Sequence, residues 1–164
     1  MDKATLELLK NYSQKWQVDK DLAFAAMNQL RTEILALWLQ RCGLDVSVKS
    51  LMETFRLVPS VWWQPSHAAY MLEVYATLIT KLRASADQGP EVEEQHKKWI
   101  EELRAGVAST TPCTHIRRLL IRLMAHKAGI EGVDLDYLLD MTFDVRWNDV
   151  EIKTALHIYD ALNA

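Results

Sequence analysis

The chain has 164 residues, 49% of them apolar and 25% charged, with a formal net charge of −3. That composition fits an ordinary globular protein with a sizeable core, and it supplies no whole-molecule field to attract nucleic acid or an anionic membrane. There is no basic-then-apolar start, no lipidation signal and no run of about 18 apolar residues, which points to the cytoplasm and to no membrane contact.

Apolar residues recur at three-and-four spacing along most of the chain, so the predicted elements are helices. Leu6, Leu9 and Trp16 mark an amphipathic opening helix. In the next, Leu22, Ala26, Met27, Leu30, Ile34, Leu37 and Trp38 form one stripe. Asp19 or Asp21 should cap its start, and Gly43 should end it in a left-handed conformation. Ser47 then opens a short helix carrying Leu51, Met52 and Phe55. A further helix starts after Trp63, with Gln64 at its cap and Pro65 in its first turn. Ser85–Pro90 reads as a turn and Glu91–Val107 as a connecting helix, with Val92, Trp99, Ile100 and Leu103 on one side. Thr111 and Pro112 supply a cap and a first position for the helix that follows.

From that point the chain repeats itself. With the shift that lays Arg31 on Arg117, Leu37 falls on Leu123 and Gly43 on Gly129, while Leu30/Ile116, Ile34/Leu120 and Trp38/Met124 stay apolar. A shift two residues shorter lays Trp63 on Trp147, Leu72 on Leu156, Tyr75 on Tyr159 and Leu78 on Leu162. The second copy's short helix is expected after Asp134, with Leu138, Leu139 and Phe143 on its apolar side. Asn148 and Asp149 then provide helix-start chemistry where the first copy has Gln64 and Pro65. The expected fold is therefore all-α, a compact bundle of two tandem trihelical repeats plus an N-terminal and a connecting helix. It forms a single domain over 1–164, with repeats at about 28–83 and 112–164 and the connecting helix at about 90–107. A solenoid-like array is the alternative, as is a flexible tether between two separate halves.

Site chemistry is sparse. No Gly-x-Ser-x-Gly elbow or glycine-rich phosphate loop occurs, and neither Cys42 nor Cys113 has a recognisable histidine partner. Two cysteines are too few for a disulfide framework, and both are expected as free structural thiols. None of His67, His96, His115, His126 and His157 is read as part of a His-x-x-x-His or Glu-x-x-His pair, and His157 with Asp160 makes only two ligands. No catalytic residue, cofactor or metal site is expected.

The informative places are those where the two copies differ. Trp62 and Val61 lie in the loop before the matched tryptophan, and the second copy has Arg146 where the first has Trp62. His115, Arg118, Arg122 and His126 form a basic stripe where the first copy carries Gln29, Thr32, Ala36 and Gln40. That stripe is a solvated face, a face paired with Glu91, Glu93, Glu94, Glu101 and Glu102 of the connector, or a site for an acidic protein. Nucleic acid is disfavoured, because the third helix of each copy, the counterpart of a groove-reading helix, holds few cations (Lys81, Arg83 and Lys153). The expected function is that of a non-enzymatic cytoplasmic adaptor or regulator working through protein–protein contacts at these residues, with self-association as a variant. The alternative is a nucleic-acid-associated regulator using the stripe of the 112–128 helix. A helical enzyme or ligand binder would instead need a deep pocket with converging polar groups.

Overall fold

Each segment with helical spacing closes its own backbone hydrogen bonds, and the computed structural model, which describes residues 1–15, 18–80, 89–130 and 135–163, is helical in every such segment. Among the described residues the order is α1 (Lys3–Lys15), α2 (Lys20–Arg41), α3 (Val48–Phe55), α4 (Pro65–Ile79), α5 (Glu94–Arg104), α6 (Thr110–Ala128), α7 (Leu135–Leu139) and α8 (Asp149–Leu162). They pack into a compact all-α body around the fully buried Leu30, Ile34, Trp38, Phe55, Leu120 and Met124. Trp16, Lys81, Arg83, Ser85–Gln88 and Asp134, which figure in the expectations above, lie outside the described residues.

Helix ends follow local chemistry. Asp19, not Asp21, caps α2, its Oδ1 accepting from Asp21 N (2.8 Å) and Leu22 N (3.3 Å). Ser47 caps α3 by accepting from Ser50 N, and Asn148 caps α8 in a reciprocal box with Glu151. Gln64 occupies the cap position of α4 without a side-chain bond. Gly43 (φ 67°) and Gly129 (φ 73°) turn the chain out of α2 and α6, with Leu44 N reaching Leu39 O and Ile130 N reaching Ala125 O, both at 3.0 Å.

Three expectations need correction. α6 begins at Thr110 behind Ser109, so Pro112 sits at its third position, where no intrahelical N–H is lost. The connecting helix is shorter than expected, and α5 packs on α6 and α8 as α1 packs on α2 and α4. Phe143 lies beyond the five-residue α7 and is 89% exposed; Leu138 and Leu139 fill the core there instead.

The centre of the body is polar and specific. Arg31, on α2, is 2% exposed and donates from Nε to Leu138 O (2.8 Å), from Nη2 to Leu139 O (2.7 Å) and from Nη1 to Val58 O. Arg117, on α6, is equally buried and donates to Phe55 O (3.2 Å), Thr142 O (2.7 Å) and Phe143 O (3.0 Å). The last carbonyls of a helix lack intrahelical donors and carry its negative dipole end, so each arginine serves as the C-terminal cap of a short helix, α7 or α3. Arg56 and Asp140, which follow those helices, are the non-glycine residues with positive φ among the described residues. Beyond them Leu57 and Met141 form an isolated antiparallel bridge.

Candidate functional site

Burial alternates along Val61–Trp63, with Val61 and Trp63 buried and Trp62 between them at the surface. Asn28 holds both backbone polar groups of Val61, accepting from its N–H (2.8 Å) and donating to its carbonyl (3.1 Å). Trp63 is locked more thoroughly: its Nε1 donates to Tyr137 O (3.0 Å), and its carbonyl accepts from the Tyr12 hydroxyl (3.1 Å). With Val61 and Trp63 both turned into the core, Trp62 between them must turn out. It is 49% exposed and stacks on Phe24, one helical turn before Asn28, with ring centroids 5.1 Å apart. Leu22, expected on the inner stripe of α2, is exposed as well. Of the two candidates in this loop, Trp62 is at the surface and Val61 is a core residue.

Side chains also lock the segment before α8. Thr114 Oγ1 accepts from Val145 N (3.1 Å), and Trp147 Nε1 donates to Thr54 O (2.6 Å). Between Val145 and Trp147 the outward position holds Arg146.

The stripe on α6 is partly roofed by the segment that ends in α5. His115 stacks on Trp99 (4.6 Å, 17° between planes), and Trp99 lies 6.1 Å from the His96 ring. Gly89 sits against the His126 imidazole so closely that a β-carbon there would come within 3.1 Å of Cδ2. Arg118 and Arg122 remain exposed. Pairing with the connector, one of the alternatives for this stripe, does not form among the described residues: Glu94 pairs with Lys97 (2.9 Å), Glu101 with Arg104 (3.7 Å), and Arg104 also with Asp160 (2.6 Å).

Contrary to the expectation for the histidines, Glu93 and His96 do form a Glu-x-x-His pair, and it closes the capping box of α5: His96 Nδ1 accepts from Glu93 N (3.1 Å). Its Glu-x-x-His spacing thus serves a helix start. Burial holds its pKa below the ordinary value; Glu93 opposes that shift, and Arg122 and His115 reinforce it. Burial also pushes the Cys42 thiol up to about 12, and its Sγ points at Met124 O (3.3 Å). Cys113 is buried, free and shifted in the same direction by burial. Among the described residues no three His, Cys, Asp or Glu side chains converge to hold a metal ion, and no helix is long and apolar enough to cross a membrane.

Comparison with protein families, with curated proteins and with solved structures finds no match.

Proposed function

We propose that this is a single-domain, non-enzymatic helical adaptor or regulator of the cytoplasm, acting by binding another protein, on a body made of one unit used twice. The half-exposed Trp62 carries the functional reading. A large aromatic ring turned outward between two fixed neighbours, stacked on a second aromatic, is a preformed anchor of the kind that dominates protein interfaces, because little side-chain entropy remains to be lost on binding.

The duplication is supported by bonds that recur at matched positions. Arg31 to Leu139 O and Val58 O corresponds to Arg117 to Phe55 O and Thr142 O. Asn28 on Val61 corresponds to Thr114 on Val145. Arg56 and Asp140 share their backbone conformation, and Leu57 pairs with its own counterpart, Met141. Because α5 packs as α1 does, the unit reads as four helices, α1–α4 and α5–α8, in place of three and a connector. The folding positions are matched, whereas Trp62 against Arg146 is not, which is why we assign Trp62 to function.

The test is affinity capture from native cells with the wild-type protein and Trp62→Ala, quantified by mass spectrometry. A partner should be retained by the wild type and lost with the variant, while the melting profiles stay alike. Equal recovery of all partners by both proteins would overturn the reading.

A further inference from the structure

We propose that the exposed ridge of α6 and the loop after α7 form a second docking surface, with Phe143 as its anchor and Arg118 and Arg122 as its charge contacts, for an acidic amphipathic segment of a protein partner. It rests on the reading that this protein works by binding another protein. Phe143 projects from a fixed backbone, since its carbonyl accepts from Arg117 Nη2 (3.0 Å) and Thr142 O from the same nitrogen (2.7 Å). The ring nevertheless stays 89% exposed. Arg117, the residue before Arg118, holds the Thr142 and Phe143 carbonyls, and Thr114, one turn before Arg118 on the same face of α6, accepts from Val145 N (3.1 Å), so the Phe143 loop runs along the turn that bears Arg118. Arg122 stands one turn farther along α6.

Charge complementarity selects the occupant. Neither Arg118 nor Arg122 has an ion pair among the described residues, and Glu94 and Glu101 of α5 are paired with cations of their own helix. The two arginines are four residues apart, about 6 Å along the axis. A partner helix with glutamates four apart matches that spacing, and an apolar residue on its adjoining turn would receive the Phe143 ring. A nucleic acid fits less well. Two arginines release about two counterions, giving a shallow salt slope of roughly −2. The matched residues of the first half, Thr32, Ala36 and Pro59, carry neither the charge nor the ring, so the fold does not require them.

The test uses the full chain and a fluorescein-labelled amphipathic peptide, with glutamates four apart and leucines on the adjoining turn, followed by anisotropy and by amide chemical-shift mapping. Binding should weaken roughly tenfold in Phe143→Ala, vanish in Arg118→Glu/Arg122→Glu, fall sharply in Arg118→Gln/Arg122→Gln, and persist in Trp62→Ala. Shifts should concentrate on 115–122 and 142–146. The surface is overturned if the peptide fails to bind, if a scrambled peptide of the same composition binds equally, or if duplex DNA binds more tightly. It is overturned too if the wild type is a dimer that Phe143→Ala makes monomeric. Loss of this surface with Trp62-dependent capture intact would remove the second site and leave the adaptor reading standing.

Discussion

Arg31 and Arg117 put guanidinium groups in the middle of the protein with no carboxylate among the described residues bonded to either, and burial lowers the pKa of both. Main-chain carbonyls at helix ends replace the missing anions, which is tolerable because those carbonyls would otherwise be buried without donors. Replacing Arg31 with Met keeps much of the apolar stem and strands the carbonyls of Leu138, Leu139 and Val58; the cost should be on the order of 2–4 kcal/mol in chemical denaturation. Trp63→Ala and Trp147→Ala each remove a buried ring and an indole hydrogen bond, and each should cost roughly 3–5 kcal/mol. Cys42 and Cys113, protonated and enclosed, should react with a thiol reagent only at the rate of opening, and rapid labelling of the native protein would contradict that. At His96 the neutral ring accepts a backbone N–H, a bond that protonation of Nδ1 destroys. Its folded pKa lies below the unfolded value, so the unfolded chain binds more protons in between. Stability should be full above pH 6.5, the ordinary value, and fall as pH drops through the folded pKa. A titration of unfolding free energy should show that slope, and His96→Ala should flatten it.

At the scale of elements, what decides a helix here is how its ends are closed. α7 is only five residues long and could not persist alone; it holds because Arg31 takes its last carbonyls and Trp63 takes the carbonyl of Tyr137. Gly43 has positive φ with nothing within 4 Å of where a β-carbon would stand, so Gly43→Ala is a pure test of backbone strain and should cost about 1 kcal/mol. The caps at Asp19, Ser47 and Asn148 and the helix-ending Gly43 and Gly129 were legible in the sequence because each is set by a few neighbouring residues. The true end of α7 was not. Phe143 was expected on the apolar side of that helix, but Leu138 and Leu139 fill the core there and the chain leaves the helix before Phe143 is reached.

Across the whole molecule, bonds from α2 and the segment before α4 close on α7, and bonds from α6 and the segment before α8 close on α3. Neither half keeps its central polar groups satisfied without the other. Unfolding should therefore be a single transition, coincident by far-ultraviolet circular dichroism and by tryptophan fluorescence, and Trp63→Ala and Trp147→Ala should shift that same transition. Two separate transitions, each moved by one substitution, would mean independent halves.

The pattern of apolar spacing and most helix starts and stops were present in the sequence, since local propensity and burial periodicity act over a few residues. Tertiary structure alone decided that Arg31 and Arg117 are core residues capping distant helices, that Val61 turns in while Trp62 turns out, and that α5 leaves Arg118 and Arg122 uncovered. The physical reason is that a guanidinium, a tryptophan or a carboxylate takes its role from the donors and acceptors brought to it, and here those arrive from segments up to 108 residues away in the chain.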